Sequence, residues 1–142
     1  MEHLHYVGNS PRGRFAGEEW LRFWTQLTGR AAAWTDRNNA EFQFSDVETL
    51  GPEYHVEWKP GAIPALQVTA ATDIGLLHGV YDAIQRILGV EFTIAADILP
   101  AKRPDPRQAL VWDAGLPLAT IRGTLPWFNF LTGPSYWVLI LH

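Results

Sequence analysis

Between Asp73 and Leu88 the apolar residues Leu77, Val80, Tyr81, Ile84, Ile87 and Leu88 fall at i, i+3, i+4, i+7, i+10 and i+11. That is a continuous stripe at helical spacing and predicts a helix over 73–88. Thr72 or Asp73 can cap its start, and Gly89 can close it in the left-handed conformation. Gly75 and Gly79 lie on one side of this helix. Each costs about 1 kcal/mol in helix propensity, so close approach to a sheet or another domain is the expected compensation. A second helix is predicted over 16–28, where Trp20, Leu21, Trp24 and Leu27 recur at helical spacing, with Phe23 widening the stripe. Glu18 and Glu19 would fall in its first turn, where the helix dipole favours acids, and Gly29 would end it.

Three runs alternate with period two: Glu41–Phe44, Tyr54–Trp58 and Leu66–Ala70. One face buried and one wet suits strands of an antiparallel or mixed sheet. Pro60-Gly61 between the last two predicts a hairpin turn. Val90–Ile94 reads as a strand leaving the 73–88 helix. The character changes after Leu99, where Pro100, Pro104 and Pro106 alternate with Lys102, Arg103 and Asp105. Such a stretch behaves as a stiff linker. The division expected is 1–100 as an α/β domain, 101–108 as a Pro-rich linker and 109–142 as a following unit. The fold class is α+β, a two-layer sandwich with helices packed on one face of a small mixed sheet.

The chain has 142 residues, one ordinary domain, with 47% hydrophobic and 18% charged residues. These fractions are those of a packed globule. Seven tryptophans and seven phenylalanines are many for this length. Core packing is the favoured use of such residues, and stacking on sugar rings the other. The net charge is −4. The basic residues nearest to a cluster, Lys102, Arg103 and Arg107, are spread among prolines beside Asp105, so nucleic acid is not an expected partner. No stretch reaches the roughly 18 apolar residues of a spanning helix, so no membrane is expected either. Met1–His5 lacks a basic then apolar run, so no signal peptide is visible and the compartment stays open. There is no cysteine, which excludes disulfides and thiolate metal sites.

The run Val68–Phe92, with Asp73-Ile74-Gly75-Leu76-Leu77-His78-Gly79-Val80-Tyr81 at its centre and Leu88-Gly89-Val90 after it, carries a resemblance. It resembles the α/β domain preceding the catalytic barrel in family 20 hexosaminidases, α-glucuronidases and related glycoside hydrolases. Asp97-Ile98-Leu99-Pro100 resembles the exit of that domain, and the likeness spans roughly residues 5–100. Domains of this kind are described as zincin-like. Zincin chemistry needs two histidines flanking a glutamate in H-E-x-x-H, whereas His78-Gly79-Val80-Tyr81-Asp82 offers one histidine and no glutamate. No metal and no cofactor are therefore expected. His3, His5 and His55 are scattered and read as surface or strand residues.

Ile121-Arg122-Gly123 resembles the start of the first barrel strand in these hydrolases, whose arginine reaches a sugar. A guanidinium fork matches vicinal hydroxyls, so the resemblance implies Arg122 as a sugar contact, with Trp127 and Asn129 following. The departure after Arg-Gly, Thr124-Leu125-Pro126-Trp127-Phe128-Asn129-Phe130, leaves the sugar open. A structural ion pair for Arg122 and a buried place for Trp127 are the other reading.

Glycoside hydrolysis uses a carboxyl pair, placed in barrels at the ends of later strands. After Asp113 the chain holds no Asp or Glu, and Ser10, Ser45 and Ser135 lack a nucleophile setting. Gly8, Gly13 and Gly17 do not read as a phosphate loop. The function expected is that of a non-catalytic accessory domain of a carbohydrate-active enzyme, its partner a catalytic barrel. This polypeptide alone is expected to be inactive. The alternative is a stand-alone carbohydrate-binding module using Trp112, Trp127 or Trp137.

Overall fold

The computed structural model describes residues 1–47, 51–101 and 108–114. In chain order the elements are β1 (Glu2–Val7), α1 (Pro11–Thr28), β2 (Ala32–Trp34), β3 (Phe42–Ser45), β4 (Tyr54–Lys59), β5 (Ala65–Ala70), α2 (Asp73–Leu88), β6 (Glu91–Phe92), β7 (Asp97–Ile98) and β8 (Leu110–Ala114). Among the described residues, six strands form one mixed sheet in the order β2-β1-β3-β5-β4-β8. β2, β1, β3 and β5 run parallel, while β4 runs antiparallel to both β5 and β8. β6 and β7 make a separate two-stranded ribbon.

Register explains the single core. Leu4, Phe42, Leu66, Trp58 and Leu110 are successive cross-strand partners, and Phe44, Val68, Val56 and Trp112 form the next rung. Because side chains alternate across a sheet, these rungs share one face. Their buried members join the inward faces of both helices in one apolar cluster. The rung between them, His5, Gln43, Gln67, Glu57 and Val111, falls on the opposite face. Helices therefore cover one side of the sheet and leave a polar side. Trp20 and Trp24 of α1 meet Phe42 and Trp58 edge-on at the centre of the core.

α2 occupies the predicted span, with the Thr72 hydroxyl accepting from the Gly75 N–H and Gly89 in the left-handed conformation. Its glycines face the sheet. A Cβ on Gly75 would stand 2.6 Å from the Glu53 carbonyl oxygen, and one on Gly79 would stand 2.9 Å from both Tyr54 and Val68. α1 begins at Pro11, ahead of the predicted residue 16. Ser10 is its cap, accepting from the Arg12 and Gly13 N–H groups, and Pro11 at the first position needs no N–H partner. Glu18 and Glu19 consequently lie inside the helix rather than in its first turn. Glu19 instead binds Arg22 and accepts from the Tyr81 hydroxyl of α2.

The predicted hairpin forms, pairing Lys59 with Ala65 across residues 60–64, with Gly61 at φ 150°. The strand expected over 90–94 contracts to Glu91–Phe92, paired with Asp97–Ile98. Leu110–Ala114, placed by the sequence pattern with the unit after the linker, pairs along β4 as an edge strand of the main sheet. Of the 109–142 unit, expected to be the start of a truncated barrel, residues from 115 onward lie outside the described residues. Among the described residues, no helix is long and apolar enough to cross a membrane.

Candidate functional site

The chain reverses direction across the sheet at β1. α1 carries it to β2 on one side, while β3 and β5 lie on the other. At such a switch point, loops leaving the carboxyl ends of parallel strands diverge and open a crevice. A cleft of about 570 Å³ lies there, lined among others by His5, Asn9, Arg14, Trp34, Thr35 and Asp36.

Several local interactions build it. The segment joining β2 to β3 passes the polar side of β1: Thr35 N–H donates to the Leu4 carbonyl at 2.9 Å, and the His3 N–H donates to Glu41 at 2.8 Å. His5 Nδ1 lies 3.2 Å from the Thr35 carbonyl oxygen. A carbonyl only accepts, so Nδ1 carries the proton and Nε2 of the neutral ring is an acceptor. The Arg14 guanidinium sits 4.7 Å above the Trp34 ring, a cation–π stack that holds its donors over the cleft.

Tyr6 forms the inner wall. Its hydroxyl donates to Asp46 at 2.5 Å and accepts from the Ser10 N–H at 3.2 Å. Burial, then the bond to Asp46, push this phenol up to about 12. The glycines around it are spaces for side chains. A Cβ on Gly8 or Gly13 would strike Tyr6, and one on Gly17 would strike Trp34 and Leu4. The strand–loop–helix passage therefore does not cradle phosphate, since its glycines are filled and its first helical N–H groups are taken by Ser10 Oγ.

Ser10 also ties the helices together, its hydroxyl donating to Asp73 at 2.6 Å, with Arg12 3.2 Å from the same carboxylate. The Ser10 bond, ahead of Arg12, holds the Asp73 carboxyl below its ordinary range. Burial pulls Glu41 upward, but its own and the His3 backbone N–H groups, together with the His3 ring, leave it lowered. A general acid in glycoside hydrolysis needs the opposite shift.

A second polar cluster fixes the exit strand. Asp82 Oδ2 accepts from the Tyr54 hydroxyl and from Trp112 Nε1, each at 2.8 Å, and Oδ1 accepts from Arg86 at 3.0 Å. The Arg86 guanidinium covers the Trp112 ring at 4.7 Å. On the polar face His55 lies between Asp113 of β8 and Glu57, and the bond to Asp113, then that to Glu57, raises its pKa. His78, one turn before Asp82 on α2, meets Glu53 at 2.8 Å. Among the described residues no group of three His, Asp or Glu side chains is arranged to hold a metal ion.

With the sheet order and helix placement established, the decisive comparison is structural. The chain superposes on an N-acetyl-β-hexosaminidase of Streptomyces plicatus, solved in complex with Thio-NAglucal, with a TM-score of 0.51 at 18% identity. The fold is one found in a glycoside hydrolase. The match covers 80% of this chain and 22% of that enzyme, so the chain spans about a fifth of its length. A mutant β-hexosaminidase of the same organism, with its product GlcNAc, superposes at 0.49 and 20% identity over 80% of this chain and 21% of the enzyme. No family model matches the sequence, and no curated protein matches it.

Arg122, Trp127 and Asn129, the sugar contacts implied by the resemblance, lie outside the described residues, as does Trp137. The switch-point cleft was not indicated by the sequence pattern. Its one visible signal was Ser10-Pro11, a cap followed by a first-turn proline, which places a helix start directly after a short alternating run.

Proposed function

We propose that this chain is a non-catalytic accessory domain standing before the catalytic barrel of a carbohydrate-active glycoside hydrolase. The observation that carries the reading is the superposition over 80% of this chain on only 22% of a hexosaminidase. The use of the described carboxylates supports it. Asp73, Glu19 and Asp82 are engaged in linking α1, α2 and β8, and Glu41 and Asp73 are held below the range of an acid catalyst. On this reading Arg122, with Trp127 and Asn129, reaches sugar from the start of the barrel.

Two measurements test the proposal. The purified 142-residue chain is expected to leave a panel of aryl glycosides, N-acetylglucosaminide included, unhydrolysed, and turnover above the uncatalysed rate overturns the reading. The genomic reading frame after codon 142 is expected to continue into a barrel with a carboxylate pair at the carboxyl ends of its strands. A native stop codon at that point counts against it. The stand-alone sugar-binding module is less well supported, because Arg86 occupies a face of the Trp112 ring it would use.

A further inference from the structure

We propose that the cleft at the carboxyl end of β1 is a binding site for a small, neutral, polyhydroxylated ligand, recognised by Arg14, Asp36, Asn9 and His5. Its volume of about 570 Å³ lies within the roughly 300–1,000 Å³ of small-molecule sites. Its place at the sheet's switch point is where open α/β sheets present divergent loops to a ligand.

The chemical class follows from the groups that line it. Among the described residues, no side chain hydrogen-bonds those of Arg14, Asn9 or Asp36. Arg14 is positioned all the same, by its stack on Trp34. His5 adds an acceptor at Nε2, because Nδ1 is bound to the Thr35 carbonyl. The site thus offers a fixed fork of donors, a carboxylate, an amide that does both, and a neutral acceptor. An anion is poorly served. The first N–H groups of α1 are already taken by Ser10 Oγ. Asp46 also lies behind Tyr6, and Asp73 behind Ser10. A cation meets Arg14. Hydroxyl groups donate and accept at once, and therefore satisfy Arg14 and Asp36 together. The proposal rests on this cleft and not on the accessory-domain reading, so catalytic silence of the chain neither supports nor weakens it.

The test is titration of the whole 142-residue chain with glucose, galactose and N-acetylglucosamine, and separately with inorganic phosphate. Binding is followed by calorimetry and by backbone amide shifts. At least one sugar is expected to saturate in the millimolar range, with shifts centred on His5, Asn9, Arg14 and Thr35. Arg14→Met keeps the stacking stem and removes the donors, and Asp36→Asn removes the charge. Each is expected to weaken binding about tenfold, the loss of one hydrogen bond to a charged group. Both residues are exposed, so the unfolding midpoint is expected to stay put. Absence of saturation by all three sugars overturns the proposal. So does tighter binding of phosphate, clustering of the shifts elsewhere, or unchanged affinity in both variants. The shift map on the unmodified chain decides the matter even if a variant fails to fold.

Discussion

Gly75 sets two contributions against each other. Alanine is the better helix former by about 1 kcal/mol, so Gly75→Ala would stabilise α2 if propensity alone governed the site. The added methyl, however, would stand 2.6 Å from the Glu53 backbone carbonyl and 3.1 Å from the Thr72 hydroxyl. The carbonyl belongs to a backbone whose Glu53 N–H is tied to the Ala114 carbonyl at 2.9 Å, so it cannot swing away as a side chain would. The helix must lift or the cap must break. Overpacking of this kind costs roughly 1–3 kcal/mol, and loss of the Thr72 cap about 1 kcal/mol more. Net destabilisation of about 1–3 kcal/mol is expected. For a domain of this size that corresponds to a fall in melting temperature of roughly 4–12 °C. Urea unfolding followed by tryptophan fluorescence measures it. A variant as stable as the parent would refute the close approach of α2 to the Glu53 backbone that leads into β4.

Three further outcomes are expected. Ser10→Ala removes a cap and the bond to Asp73 and should cost about 1–2 kcal/mol in urea unfolding. Because the Asp73 carboxyl is lowered, its contribution is present above the ordinary carboxylate range and lost as pH falls through the lowered value. The acid arm of the stability profile should therefore flatten in Ser10→Ala. His55 is raised, so its pairing with Asp113 contributes fully below about pH 6.5 and is lost as pH rises through the folded value. Hydrogen exchange at the amides of residues 111–114 should accelerate more than the intrinsic base-catalysed rate over that window, and His55→Gln should abolish the excess. Trp20→Phe should cost about 1–2 kcal/mol by thermal melting, well under the roughly 3–5 kcal/mol of Trp20→Ala. Phenylalanine also removes a buried indole N–H that has no acceptor among the described residues.

The helix over 73–88 was legible to the residue because stripe, cap and terminal glycine agree there. The alternating runs at 41–44, 54–58 and 66–70 were equally clear, since each has one buried face. The apolar stripe of the first helix covers only part of Pro11–Thr28. Gly13 and Gly17 sit where apolar residues would mark the stripe, being small to admit Tyr6 and Trp34. β1 is hard to read because one of its inward positions is an acid, Glu2, buried against Trp24 and Arg30 where the pattern calls for an apolar residue. β2 is three residues long, too short for any period. The pairing of β8 with β4 is not legible because the two are distant in sequence, and local pattern carries no information about non-local pairing. Beyond the helix start at Ser10-Pro11 the cleft is not legible for the same reason: its walls come from residues 5–14 and 34–36, brought together by the parallel pairing of β1 and β2.

The position of β8 has a consequence for how the molecule is made. A ribosome delivers β4 long before the strand that completes its flank, with α2, the β6–β7 ribbon and the Pro-rich stretch translated in between. Until residue 114 emerges, β4 presents a bare row of amides and carbonyls, and Tyr54 and Asp82 wait for Trp112. A chain cut after Leu99 would keep that flank open, and an unsheltered strand edge is a template for pairing with another chain. The last few residues before Gly115 thus act as a seam that closes the flank of β4 and passes the sheet's edge to a strand only five residues long.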